Sequence, residues 1–180
     1  IDCYGYGAQR ISEDAGQNRA ILTWAKQVGV RMIFTSSSDP EVLDVLEPMI
    51  EEFGIAIAIH NHGPDDKRNG KISQVATAMQ GRHPLIGAGV DTGHYYRASE
   101  DPAEAIMLFG DRVHGVHLKD YNEDHDKTGP DWRQNRVPIG DGVMDIPAIL
   151  KALRKIRYNG VLSLETAMVP ENPMPGLRSS

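Results

Sequence analysis

Short apolar runs alternate along the chain with longer stretches in which apolar residues recur every three or four positions. The runs Val30–Phe34, Ile55–Ile59, Leu85–Val90, Val113–Leu118 and Val161–Leu164 predict strands, and Ile1–Tyr6 is read as one more. Between them lie helical patterns. Ser12–Val28 carries Ile21, Leu22, Ala25 and Val28 on one face, with Ser12 as its cap and Gly29 as its stop. Asp39-Pro40 opens a helix with the stripe Val42, Leu43, Val45, Leu46, Met49, Ile50 and Phe53, ended by Gly54. Lys71–Met79 is a weaker helix. Asp101-Pro102 starts one bearing Ala105, Ile106, Leu108 and Phe109, and Asp145 caps one bearing Ile149, Leu150, Leu153 and Ile156. Met32, Met49, Met79 and Met107 fit core positions in this scheme.

Six strands and five helices in strict alternation predict a parallel sheet with helical crossovers. The strands read as continuous apolar runs rather than two-residue alternations, as expected where both faces are buried. No break in composition divides the chain, so residues 1–180 are expected to form a single domain, with an irregular tail over 170–180 and a long polar loop from Lys119 to Asp141.

Composition narrows the function. The 180 residues are 40% hydrophobic and 24% charged, with a formal net charge of −6. An acidic chain lacks the basic field that nucleic-acid binders direct at phosphates, and no apolar run approaches the roughly 20 residues that span a bilayer. Neither nucleic acid nor membrane is an expected partner. The single cysteine, Cys3, makes no internal disulfide, which fits a cytoplasmic protein. The chain opens on Ile1 without a methionine and is expected to have lost its true N-terminus.

The candidate chemistry sits where strands end. Ile55–Ile59 runs into His60-Asn61-His62-Gly63, Leu85–Val90 into Asp91-Thr92-Gly93-His94, Val113–Val116 into His117-Leu118-Lys119-Asp120, and Val161–Leu164 into Glu165. In parallel α/β folds this end of the strands carries function. A lone polar residue there is a cap or a satisfied side chain, but four consecutive strands ending this way are harder to dismiss. Imidazoles and carboxylates together suit a divalent ion such as Mn²⁺, Zn²⁺, Co²⁺ or Fe²⁺. Such an ion polarises a carbonyl while a neighbouring carboxylate or imidazole moves a proton. Arg97, Arg133 and Arg136 are candidates for sugar or phosphate oxygens, each read first as a solvated loop residue. Trp132 could stack on a sugar face, and Gly140-Asp141-Gly142 is read as a turn leading to the Asp145 cap.

These blocks, in this order, resemble the xylose isomerase-like TIM-barrel superfamily, which includes sugar phosphate isomerases and epimerases, ketose 3-epimerases and inosose dehydratase. The resemblance runs from about Ile1 to Glu165, and its specific part is Asp91-Thr92-Gly93-His94 with His117-Leu118-Lys119-Asp120. It implies a (β/α)8 barrel of which about six βα units are present, the two N-terminal ones missing, since such barrels typically need about 250 residues. It also implies a fragment, or a barrel completed by partner contacts, for which a homo-oligomer is one arrangement.

The resemblance implies a divalent metal, Mn²⁺ in the first place, held by His60, Asp91, His117 and Glu165. His60 or His62 stands where most members carry a glutamate. Glu165 and His60 become the acid/base pair, and His94, Lys119 and His62 the substrate contacts, with Asp120 beside the site. The implied activity is isomerisation or epimerisation of a small sugar, keto sugar or sugar phosphate through an enediolate. The histidine-rich block after Ile59 gives a dehydratase of a keto sugar or keto-polyol as the alternative. A non-catalytic, sugar-binding or fragmentary barrel is the third reading.

Overall fold

The computed structural model describes residues 3–7, 9–122 and 135–166. Ile1, Asp2, Trp132, Arg133 and the 170–180 tail lie outside the described residues. The chain runs β1 (Gly5–Tyr6), α1 (Ala15–Gln27), β2 (Met32–Thr35), α2 (Pro40–Phe53), β3 (Ala56–His60), α3 (Ile72–Met79) and β4 (Ile86–Asp91). It continues through α4 (Thr92–Arg97), α5 (Pro102–Phe109), a single 3₁₀ turn (Gly110–Arg112), β5 (Val113–Leu118), α6 (Ile146–Lys155) and β6 (Leu162–Leu164). All six strands are parallel and lie in sequence order, each paired to the next. The sheet is the curled, open part of a barrel: among the described residues β1 and β6 do not pair with each other.

The strands do alternate, but in size rather than polarity. Ile33, Ile57, Ile59, Ile86, Ala88, Val90, Val116 and Leu118 join the helices in one large core. The intervening positions on β3, β4 and β5 are Ala56, Ala58, Gly87, Gly89 and Gly115. Both sets are apolar, so a hydropathy pattern shows an unbroken run. Glycine is required on this inner face. A Cβ on Gly89 or Gly115 would stand 2.6 Å and 2.5 Å from the Phe34 ring, which fills the interior with Met32 and Ala58.

Helix boundaries show where local chemistry was misjudged. α1 is capped by Asp14, whose carboxylate accepts from the amides of Gly16 and Gln17. Ser12, the expected cap, instead accepts from the Asp14 amide and donates to Gln17. α2 begins and ends as expected, with Asp39 before Pro40 and Gly54 in the left-handed conformation. α6 is capped by Asp145 through the Ala148 amide. The helix α4 has no counterpart in the hydropathy reading, because its six residues are too few to show a period. The buried stripes are also narrower than the hydropathy pattern predicts. Val28, Met107, Leu108 and Leu150 are exposed, whereas Met32, Met49 and Met79 are buried as expected. No helix among the described residues is long and apolar enough to cross a membrane.

Candidate active site

The inner-face positions that are small along the strands become polar at their C-terminal ends. His60 follows Ala56 and Ala58, Asp91 follows Gly87 and Gly89, and His117 follows Gly115. Register brings them level: His60 pairs with Gly89, and Asp91 with His117. A slip of one residue would turn the whole set outward. Glu165 follows β6, its amide donating to the Leu118 carbonyl at 2.9 Å.

His60, Asp91 and His117 converge so that their ligand atoms all lie within 4.8 Å of one another. His60 Nε2 is 3.1 Å from His117 Nδ1 and 3.5 Å from Asp91 Oδ2, and His117 Nδ1 is 3.7 Å from the same oxygen. Donor atoms about 3–3.5 Å apart form the edges of a coordination shell with bonds of about 2.1 Å, so this set fits a divalent ion. The buried Nδ1 of His60 has no hydrogen-bond partner among the described residues, which leaves that ring held by Nε2 alone. Glu165 joins through His117 (Nδ1 to Oε1, 2.9 Å) and Lys119 (Nζ to Oε2, 3.1 Å).

Asp91 serves two masters. Its Oδ1 caps α4 by accepting from the His94 amide at 2.9 Å, while Oδ2 faces the cluster and pairs with Lys119 Nζ at 2.5 Å. Cap and candidate ligand are the two oxygens of one carboxylate. Asn61 fixes the backbone there, its amide donating to the Asp91 carbonyl and its oxygen accepting the Asp91 amide. Thr92 ties the end of β4 to β5, donating to the His117 carbonyl and accepting from the Lys119 amide. Phe34 supports two imidazoles, its ring 4.5 Å from that of His117 and 5.6 Å from that of His60.

The electrostatics split the histidines. Burial lowers His60 to about 4 and His94 to about 3, against the pull of Asp91. Burial also works to lower His117, but the carboxylates of Asp91 and Glu165 override it and raise it to about 9. Glu165 is brought down to about 2 by His117, with Lys119 assisting. Burial works to raise Asp91, yet Lys119 and then His117 hold it well below the usual carboxylate range.

Several expected site residues land elsewhere. His62 is exposed, its Nδ1 3.4 Å from Ser36 Oγ and 4.0 Å from Asp66 Oδ2, although its ring lies 4.5 Å from that of His60. Of the two histidines, His60 is the one inside the cluster. Asp120 spends its buried carboxylate on backbone, accepting from the amides of Tyr121, Gly140, Gly142 and Met144. Gly140-Asp141-Gly142 is thus the expected turn, with the Gly140 and Gly142 amides on Asp120 and the Asp141 amide on the Pro138 carbonyl. Arg97 is not solvated but 4% exposed, packed on His94. Arg136 is half-buried, its guanidinium 3.4 Å from Glu165 Oε2. Asn61, Phe34 and the buried state of Arg97 carried no signal in the sequence. A cavity of about 430 Å³ between α2 and α3 lies away from the cluster, and its Arg68 and Arg82 are paired with Asp39 and Asp44.

A parallel βα sheet with convergent imidazoles and carboxylates at its strand ends defines a TIM-barrel type of protein with a metal-competent face. The xylose isomerase-like TIM barrel profile matches residues 37–179, and the chain belongs to that family. It is 26% identical over 144 residues to the inosose dehydratase of Lacticaseibacillus casei, a match covering 74% of this chain and 47% of the relative. The chain thus spans less than half the length of that curated relative. Among solved structures it resembles the IolI protein with a bound zinc atom, at TM-score 0.68 and 17% identity over 97% of this chain and 70% of the other. It also resembles the 3-keto-D-glucoside 4-epimerase YcjR of E. coli, at TM-score 0.69 and 19% identity over 91% and 67%. These structural likenesses establish the fold.

Proposed function

We propose that this chain carries the catalytic face of a divalent-metal-dependent enzyme that removes a proton from the carbon beside a carbonyl in a small keto sugar, sugar phosphate or keto-polyol. The observation that carries the reading is the convergence of His60, Asp91 and His117, with Glu165 suspended beside them by His117 and Lys119. Those four residues would hold the ion, which supplies polarisation of the substrate carbonyl. Mn²⁺ is the first candidate, with Zn²⁺, Co²⁺ and Fe²⁺ as the others.

Glu165 takes the proton. Lys119 and Arg136 flank its Oε2 and keep it ionised. His94 binds a substrate oxygen, and Lys119 balances the negative charge that grows as the proton leaves. Return of the proton to the other carbon of the enediolate gives isomerisation, and delivery of a proton to the opposite face of the first carbon gives epimerisation.

A second reading is elimination, in which Glu165 hands the abstracted proton to a β-hydroxyl, whose C–O bond breaks as the enediolate collapses and which leaves as water. One observation favours it. β3 ends in His60 rather than a carboxylate, and Asp91 is fully buried and paired with Lys119. Glu165 is then the one carboxylate of the cluster able to move a proton, whereas epimerisation by two carboxylates needs a base on each face. The inosose dehydratase among the relatives is consistent with this outcome.

The test is metal content of the chain, beside an Asp91→Ala/His117→Ala variant, followed by incubation of keto sugars and keto-polyols in D₂O. Metal lost in the variant, with deuterium entering the carbon next to the carbonyl, is the expected result. An epimer or a dehydrated product then separates the two readings. A folded chain that takes up no metal and exchanges no proton would overturn both and leave a non-catalytic barrel.

A further inference from the structure

Three places in the chain put a glycine after an asparagine or aspartate: Asn69-Gly70, Asp141-Gly142 and Asn159-Gly160. Such a pair is chemically labile. The glycine amide nitrogen can attack the side-chain carbonyl of the residue before it, and glycine has no Cβ to hinder the approach. Ring closure needs two things at once: a side chain free to turn, and a glycine N–H that is not engaged. The fold supplies both at one pair and withholds them at the others.

Asn69 has neither. It is fully buried, its Oδ1 accepting from Ser38 Oγ at 2.6 Å and its Nδ2 donating to the Ser36 carbonyl at 2.9 Å. The Gly70 amide donates to the Asp66 carbonyl at 3.0 Å. Asp141 is exposed, but the Gly142 amide is held by Asp120 at 3.1 Å, and an ionised carboxylate is a poor electrophile. Asn159 is exposed, and neither its side chain nor the Gly160 amide has a hydrogen-bond partner among the described residues. The turn around the pair is fixed by Tyr158 instead. Its amide donates to the Leu153 carbonyl at 2.9 Å, and its Oη donates to the Val161 carbonyl at 2.8 Å.

We propose that Asn159 is a modification site, converting spontaneously to aspartate and isoaspartate through a cyclic imide with Gly160. The Gly160 nitrogen gives its proton to solvent, and its electron pair forms a bond to Asn159 Cγ. The Cγ–Nδ2 bond breaks, and the side-chain nitrogen leaves as ammonia. Water then adds to one of the two imide carbonyls. Cleavage of the new Cγ–N bond leaves aspartate. Cleavage of the original peptide bond to Gly160 leaves isoaspartate, with the main chain running through Cγ. Ammonia is exchanged for water, and nothing is oxidised or reduced. Isoaspartate lengthens the main chain by one carbon just before β6, which pairs only with β5 among the described residues and leads into Glu165. This chemistry is independent of any reaction at the strand-end cluster.

The test is incubation of the 180-residue chain in mildly alkaline buffer, native and in urea, followed by peptide mapping by mass spectrometry. Chromatography separates the aspartate and isoaspartate peptides. Native chain should gain the amide-to-acid mass increment at Asn159, with isoaspartate in excess, while Asn69 reacts more slowly by about tenfold or more. In urea the two asparagines should react at similar rates, since each is followed by glycine and neither is protected. Asn159→Ser should abolish the native product. This control is placed at 159 because a Cβ on Gly160 would stand 2.5 Å from Tyr158 Oη. An Asn159 that stays intact in the native chain overturns the proposal, as does an Asn69 that reacts equally fast there. Aspartate without isoaspartate would mark direct hydrolysis and overturn the imide route. The native rate ratio persisting in urea would trace the difference to local sequence and overturn the role of the fold.

Discussion

Asp91 and Asp120 are both fully buried aspartates at the ends of adjacent strands, yet they do opposite things. Both oxygens of Asp120 are consumed by four backbone amides of its own turn system. Backbone donors cannot swing away, so that carboxylate is a fixed part of the chain path, joining the end of β5 to the 140–144 turn. Asp91 spends one oxygen on a backbone amide and turns the other to Lys119 and three imidazoles. Those are side chains with movable or removable protons. Burial alone therefore does not mark a functional carboxylate; what matters is whether its partners can exchange.

The comparison can be broken most sharply at Asp120. Asp120→Ala leaves several amides without acceptors and should cost about 4 kcal/mol, read as a shift in the urea midpoint. A loss below about 1 kcal/mol would show that the amides are satisfied elsewhere. Asp91→Asn should behave differently. It keeps the shape and lowers stability by only about 1–2 kcal/mol, because Lys119 retains Glu165 as a partner. Its large effect falls on metal. Wild type should gain about 2.7 kcal/mol in a metal concentration a hundred times the Kd, and the variant almost nothing. Equal gains in the two chains would remove Asp91 from the ligand set.

The pH dependence follows from the split histidines. His117, raised to about 9, contributes stability that is complete below about 6.5 and is lost as pH rises through 9. His60 and His94, lowered to about 4 and 3, stay neutral in the fold while the unfolded chain takes up protons below about 6.5. They therefore reduce stability as the medium turns acidic. The lowered carboxylates of Asp91 and Glu165 add to this only below about pH 4.5. Metal-free chain should then be most stable near pH 6.5, with a slope of about 1.4 kcal/mol per pH unit on the alkaline side, where one group titrates, and about twice that on the acid side, where two do. A flat profile between 6.5 and 9 would show that His117 is not held protonated.

The smallest effect is a control. Asp145 caps α6 through one exposed amide bond, so Asp145→Ala should cost about 1 kcal/mol and leave metal uptake unchanged. Placed beside Asp120→Ala, it grades carboxylates by the number of amides they hold.

Part of this was legible before any coordinates. The βα alternation, the caps at Asp39 and Asp145, and the strand-end placement of His60, Asp91, His117 and Glu165 are local features. Periodicity and turn chemistry report them directly. The helix α4 escaped notice because six residues make less than two turns. Arg97 read as a loop residue because nothing local reports that a charged side chain will be covered. The backbone role of Asp120 was not legible because three of its four amide partners lie some twenty residues further on.

The order of elements and the residues delivered to the strand ends belong to the sequence, since each depends on neighbours a few positions away. Which of those residues meet is a different matter. The register that sets Asp91 level with His117, the choice of His60 over His62, the glycine-lined interior that admits Phe34 and the burial of Arg97 against His94 belong to the tertiary structure. Each depends on residues brought together by packing, and a side chain's partners, unlike its periodicity, exist only once the sheet has curled.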